Sequence, residues 1–243
     1  MDGNGRWAQN QGFLRALGHR EGSASVRRIV RACRRLGVDA LTLYAFSEQN
    51  WERPQIEVDA LMALLEEFLR GERDEMVERG IRLRSIGRIG RLPDHVRDVL
   101  DEVVEATAAG EHMTLTLALS YGGREEIVDA AREIARQAAS GHLDPESIDV
   151  RSFGNVLPSM EVGPVDLLIR TSGELRMSNF MLWATAYAEL YFTDRLWPDF
   201  DEADLFDALA AYQMRDRRFG RIATAAKEEP RTLAALLASG VHV

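Results

Sequence analysis

The residues with the most chemical potential fall into separate clusters, and the first occupies positions 1–7, M-D-G-N-G-R-W, with Arg15 and His19 shortly after. Gly3 and Gly5 on either side of Asn4 allow positive φ and close backbone approach, so successive N–H groups could face one concavity and hold an oxyanion. Arg6, Arg15 and His19 could close around a phosphate there. Asp2 would be repelled by phosphates unless a cation stood between them, and a Mg²⁺ held by one carboxylate plus diphosphate oxygens meets that need. D-G-N-G is also a good turn by itself, so this cluster gains weight only in company.

The company is at 46–54, F-S-E-Q-N-W-E-R-P, where Ser47, Asn50 and Arg53 leave the end of an expected strand, although an Asn/Ser-rich turn reads the same way. A third cluster at 169–180, I-R-T-S-G-E-L-R-M-S-N-F, again follows a strand and sets Arg170, Arg176 and Ser178 around Gly173. Guanidinium forks grip phosphate oxygens through paired hydrogen bonds, so this is a second diphosphate site or else a polar loop. Glu189 in A-Y-A-E-L-Y-F is a carboxylate in an apolar strand start. It is paired with an arginine or holds a metal.

These loops need a scaffold that gathers them. Segments 39–46, 81–86, 113–120, 165–169 and 189–192 are short, apolar and partly β-branched, as strands are, and are expected to form one sheet. Segment 56–79 carries Leu61, Leu64, Leu65 and Phe68 at helical spacing behind Pro54. Segments 93–109, 124–139 and 204–218 repeat the helical pattern. The alternation predicts an α/β fold, a single domain with a largely parallel central sheet flanked by helices. In such folds ligands bind beyond the carboxyl ends of the strands, where the second and third clusters would lie.

Bulk properties narrow the function classes. The 243 residues, 46% of them hydrophobic, can bury one sizeable core. The apolar stretches 114–119 and 180–188 fall far short of the ~20 residues that span a bilayer. Membrane contact is expected to be peripheral at most. With no signal-like opening and the single Cys33, a cytoplasmic setting is expected. The arginine run 26–35 could face a nucleic acid, but a net charge of −9 favours a solvated helix face with Val26, Ile29, Val30 and Cys33 turned inward, and no nucleic-acid partner is expected.

M-D-G-N-G-R-W-A, L-T-L-Y-A-F-S-x-x-N-W-x-R-P, Y-G-G-R at 121–124, R-T-S-G-E-x-R-x-S-N-F-x-L-W, A-E-L-Y-F and W-P-D-F together resemble the cis-prenyltransferase family, in family order across 1–220. The resemblance implies condensation of isopentenyl diphosphate with an allylic prenyl diphosphate, with farnesyl diphosphate as primer and Mg²⁺ as cofactor. By that resemblance Asp2 is the catalytic aspartate that positions the metal, and Glu189 is a second acidic residue associated with it. Gly3, Asn4, Gly5, Arg6, Trp7, Arg15, His19 and Arg53 match the cradle of the allylic diphosphate. Arg170, Arg176 and Ser178 match the isopentenyl diphosphate site, and Ser47, Asn50 and Trp51 match a mobile segment beside the reacting carbons. Arg218, Phe219 and Gly220 match an element that reaches into a partner subunit, which implies a homodimer. An apolar tunnel for the growing chain would involve Ala45, Leu61, Leu64, Leu65 and Met113, with a product near eleven isoprene units.

Residues 1–220 are then a catalytic domain and 221–243 a variable tail. Some departures stand out. The family's pattern places a strand-forming segment ahead of D-G-N-G, whereas Met1 directly precedes Asp2 here, so the sheet is expected to lack a central strand. Leu175 stands where many relatives carry His, and Ser172 replaces a common Gly, a change expected to be harmless. A trans-type prenyltransferase would carry D-D-x-x-D motifs, which the sequence lacks; the acidic run 199–207 reads as the start of a helix. A non-catalytic relative would lack Asp2, Arg6, Arg170 and Arg176. A short-chain cis-prenyl diphosphate synthase remains the alternative within the family.

Overall fold

The computed structural model describes residues 1–215. Three parallel strands, β1 (Ala40–Ser47), β2 (Ile81–Ile86) and β3 (Met113–Tyr121), form a sheet in the order β1-β3-β2. The central strand β3 is covered on both faces: Leu115, Leu117 and Leu119 on one are at most 2% exposed, and Thr116 and Ala118 on the other at most 3%. Each such leucine contributes about 2 kcal/mol of burial, which fixes β3 as the axis of the core.

The strands alternate with helices, as the sequence pattern predicts: α1 (Asn4–Asn10), α2 (Arg15–Leu36), α3 (Gln55–Glu78), α4 (Asp94–Thr107), α5 (Gly123–Ala139), α6 (Val150–Gly154) and α7 (Glu202–Gln213). Pro54 and Pro93 stand immediately ahead of α3 and α4, where a missing N–H costs nothing. Asp201 caps α7 through the N–H groups of Ala203 and Asp204, so the acidic run does open a helix. That helix ends at Gln213, short of the expected 218; positions 216–218 lie outside the described residues, as do Arg218, Phe219 and Gly220.

The expectation of one sheet is not met among the described residues. β4 (Leu167–Arg170) and β5 (Glu189–Phe192) form a separate parallel pair. Residues of β1 and β4 line a common cavity of about 330 Å³, and no ladder joins these two strands.

The first glycine-rich cluster is not the double-glycine loop expected from its sequence. Gly3 takes φ 107, while Asn4 and Gly5 already belong to α1. Gly5 serves packing instead, because a Cβ there would stand 3.1 Å from the Arg15 guanidinium. Two glycines on α2 bring α1 in close. A Cβ on Gly18 would lie 2.0 Å from the Asn4 carbonyl oxygen, and one on Gly22 would lie 2.6 Å from Asn4 Oδ1.

The arginine run on α2 is engaged within the protein. Arg27 pairs with Glu72 at 2.7 Å, Arg31 with Glu75, and Arg35 with Glu202. Arg28 and Arg34 donate to the carbonyls of Pro198 and Arg79. No helix among the described residues is long and apolar enough to cross a membrane.

Candidate diphosphate site

Asp2 is held from both sides. Its N–H donates to Thr171 Oγ1 at 2.9 Å, the Thr171 hydroxyl donates back to the Asp2 carbonyl at 2.8 Å, and the Trp197 N–H reaches the same carbonyl at 2.9 Å. The carboxylate accepts from Arg170 at 3.0 Å and from the Gly3 N–H at 2.7 Å, with Arg6 at 3.6 Å. Partial burial opposes ionisation, but the Arg170 and Gly3 hydrogen bonds and the Arg170 charge outweigh it and hold the carboxyl below its usual range.

Arg170, at the carboxyl end of β4, reaches in two directions. One nitrogen meets Asp2, and the other meets Ser178 Oγ at 2.6 Å and the Arg176 carbonyl. The first and third sequence clusters are thus joined through one guanidinium. The third cluster is held in an unusual backbone: Ser172, Ser178, Asn179 and Met181 all take positive φ, which costs of order 1–3 kcal/mol each. Ser172 is therefore not a neutral replacement. Its φ of 79 suits glycine, yet its hydroxyl and carbonyl both accept from Arg6. Leu175 is exposed.

The first and second clusters converge on a residue that sequence reading missed. Glu57 on α3 lies 3.0 Å from Arg53, 3.5 Å from His19 Nε2 and 3.7 Å from Arg15. Its partners come from α2 and the loop ahead of α3, so no local pattern marks it; its place one turn after Arg53 was the available signal. His19 is only 12% exposed in its side chain, and its Nε2 is buried without a hydrogen-bond partner. Burial, then the Arg53 charge and more weakly Arg15, lower its pKa against the pull of Glu57, so the ring is neutral near pH 7. A neutral imidazole can donate one N–H to an anion.

Asp2, Asn4, His19, Ser47, Asn50, Arg53, Arg170 and Ser178 all line the cavity between β1 and β4. Ser47 and Asn50 cap one another, with Asn50 Oδ1 accepting from the Ser47 N–H at 2.9 Å. Beside this cavity a smaller one of about 110 Å³ is lined by Ala45, Leu61, Leu64, Leu65 and Phe68. Met113, expected with them, is instead buried in the core at the start of β3, at the opposite end of the strand from the loops.

Other expected residues lie apart from the cavity wall. Trp7 donates to Asp199 at 2.7 Å and pins α1 to the 197–199 turn. Trp51 donates to Ser120 and packs edge-on against Phe46. Arg176 is 64% exposed and paired with Glu174. Glu189 is level with Leu167 at the start of the β4–β5 pair, three residues below Arg170, and pairs with Arg215 at 2.6 Å. The structure does not bring it to Asp2.

Among the described residues no three His, Cys, Asp or Glu side chains converge as a complete metal cage. The Asp2 carboxylate, 41% exposed, keeps lone pairs beyond those that Arg170 and Gly3 occupy. One carboxylate with room beside it suits a Mg²⁺ whose remaining ligands are water and substrate phosphate.

Comparison with known proteins identifies the family. The family model described as "Putative undecaprenyl diphosphate synthase" matches residues 1–220. The chain is 50% identical over 220 residues to the ditrans,polycis-undecaprenyl-diphosphate synthase ((2E,6E)-farnesyl-diphosphate specific) of Salmonella paratyphi A, covering 90% of this chain and 87% of that one. It is 49% identical over 221 residues to the isoprenyl transferase of Chlorobaculum tepidum, covering 91% and 83%. In three dimensions it matches lavandulyl diphosphate synthase from Lavandula x intermedia, solved with dimethylallyl diphosphate, with a TM-score of 0.89 at 41% identity, covering 91% and 95%. The match runs through both the Asp2 and the Arg170 loops, and the chain belongs to the cis-prenyltransferase family, enzymes that extend prenyl diphosphates.

Proposed function

We propose that the protein condenses isopentenyl diphosphate with an allylic prenyl diphosphate, farnesyl diphosphate as primer, in a Mg²⁺-dependent reaction that yields a cis-polyprenyl diphosphate. The observation that carries this is the Arg170 bridge, because it sets a site built on Asp2 next to one built on Ser178. Two diphosphates anchored there would bring the isopentenyl double bond in line with the allylic carbon. The allylic C–O bond breaks as the new C–C bond forms, and a proton leaves the isopentenyl unit. Bound Mg²⁺ would offset the negative charge that gathers on the departing diphosphate.

The protein's own groups do the rest. Arg6, Arg15, Arg53 and neutral His19 bind the allylic diphosphate. Arg170, Arg176 and Ser178 bind the isopentenyl diphosphate, and Asn50 stands beside the reacting carbons. Guanidinium groups fixed before the reaction stabilise the leaving group without reorganising. No side chain is assigned as the base, and the released diphosphate is able to take the proton. Asp2 is the metal ligand in this reading; Glu189 could join it only by giving up Arg215.

The small cavity above Leu64, Leu65 and Phe68 supports a tunnel between α2 and α3 for the growing chain, and the family resemblance supports a product of undecaprenyl length. The limited volume of the two cavities favours a second reading, a short-chain synthase. Homodimerisation through the element at 218–220, a cytoplasmic setting, peripheral membrane contact at most and a variable tail at 221–243 complete the proposal.

The test incubates the protein with farnesyl diphosphate and labelled isopentenyl diphosphate, with and without Mg²⁺, beside Asp2→Ala, and resolves products by length. The expected result is Mg²⁺-dependent elongation that Asp2→Ala abolishes. Elongation undiminished in Asp2→Ala would sink the assignment, and arrest after one addition would select the short-chain reading.

A further inference from the structure

The turn at 48–52 carries Asn50 to the cavity and leads into Arg53, yet it is secured from its far side by residues that do not line the cavity. The centre of this attachment is Ser120, at the end of β3. It is fully buried and takes φ 47, a conformation that a serine adopts at a cost. Its hydroxyl accepts from Trp51 Nε1 at 2.9 Å and donates to Glu48 Oε1 at 3.1 Å, gripping the turn at two points. Arg91, on a separate turn ahead of α4, donates to the other Glu48 oxygen, and its guanidinium lies 5.0 Å over the Trp51 ring. Arg88 lies 3.9 Å from Glu48 but is held mainly by Asp129 at 3.0 Å.

The Glu48 side chain is only 10% exposed. A carboxylate so withdrawn from water is stable only while its donors stay in place. Opening the turn would expose Glu48 and break the Ser120 and Arg91 contacts together.

From this arrangement we infer that Glu48, Ser120 and Arg91 form a latch that sets the position of the Asn50–Arg53 turn over the substrates. They are positioning residues, and the inference rests on the prenyl-transfer reading above. The latch controls how often the turn is seated for reaction, so it governs turnover more than primer affinity, which depends on the cradle around Glu57 and Asp2.

The test compares Glu48→Gln, Arg91→Gln, their combination and Arg91→Lys. Each single glutamine variant is expected to lower kcat about tenfold or more, the scale on which misplaced reacting groups act, with KM for farnesyl diphosphate nearly unchanged. The double variant should be no worse than either single one, because both break the same contact. Arg91→Lys, which keeps the charge, should recover most of the turnover. Hydrogen exchange of the substrate-free protein should show faster exchange in the peptide covering 47–53 and unchanged exchange in β3. Unchanged exchange at 47–53, additive losses, or a fall in kcat that follows melting temperature without rescue by lysine would overturn the latch. If the wild type does not elongate prenyl diphosphates, the functional reading fails, and the exchange comparison still decides whether the latch exists.

Discussion

Thr171→Val isolates what backbone placement of Asp2 contributes. Thr171 is 2% exposed, and its hydroxyl is the acceptor for the Asp2 N–H and a donor to the Asp2 carbonyl. Valine keeps the shape and removes both bonds. The carbonyl retains the Trp197 N–H at 2.9 Å, but the Asp2 N–H is left without an acceptor. An orphaned donor of this kind costs about 1–3 kcal/mol, so a loss near 2 kcal/mol is expected in urea unfolding followed by circular dichroism. The kinetic effect should be larger. With its backbone released, Asp2 is drawn by Arg170 at 3.0 Å, and a displacement approaching 1 Å at a reacting site costs on the order of 10²-fold in rate. Thr171→Ser restores the hydroxyl and gives up one methyl, worth about 0.8 kcal/mol, so it should unfold slightly earlier than wild type yet turn over near the wild-type rate. Wild-type turnover in Thr171→Val, or a Thr171→Ser enzyme as slow as Thr171→Val, would refute the claim that this hydroxyl places Asp2.

Gly18→Ala should destabilise the fold by about 2 kcal/mol or more, because its Cβ would meet the rigid Asn4 carbonyl at 2.0 Å and force α1 off α2; Gly90→Ala, with nothing within 4 Å, is the control in the same thermal melt. His19 should titrate below 6.5 by NMR. The unfolded chain then binds a proton that the native state does not, so this group's contribution to stability is intact above pH 6.5 and is lost as pH falls from there towards the folded value. Glu57→Gln removes the one anion that raises the His19 pKa and should lower it further, and an upward shift would contradict the contacts described around Glu57.

Strand positions were legible because their apolar runs are bounded by turn residues: β2 and β5 fall where the pattern puts them, β1 is shifted by one residue, β3 runs one residue further, and β4 starts two residues later and ends one later. The loops at the carboxyl ends were legible for the same reason. What escaped notice is what depends on contact between distant elements. The start of α1 reads as a loop because two glycines suggest one, but Gly5 is small to admit Arg15 and only Gly3 needs its backbone freedom. Glu57 gains its meaning from cations on α2 and the preceding loop. Trp7 and Trp51 belong to the right motifs, yet their indole N–H groups are spent on Asp199 and Ser120, which no spacing rule could pair with them.

The charge balance of the site gives its own argument for a metal. Arg6 is paired with Asp2 and Glu174, Arg15 and Arg53 with Glu57, Arg170 with Asp2, and Arg176 with Glu174. Five guanidiniums against three carboxylates leave a surplus of two positive charges, with His19 neutral. A diphosphate ester ionised near pH 7 carries more negative charge than that surplus, and this reaction needs two of them side by side. The carboxylates keep the arginines ordered and close to the cavity before substrate arrives, which reduces the reorganisation needed on binding. They cannot stay uncompensated once two diphosphates are present. In the proposed reading a divalent cation beside Asp2 would correct the balance where it is worst, because Asp2 is the carboxylate that shares Arg170 with Ser178 and would stand between the two anionic groups. Binding of each diphosphate should therefore tighten with Mg²⁺ even when the other is absent, and Asp2→Ala should weaken that dependence; calorimetric titration with a non-reacting diphosphate measures it directly.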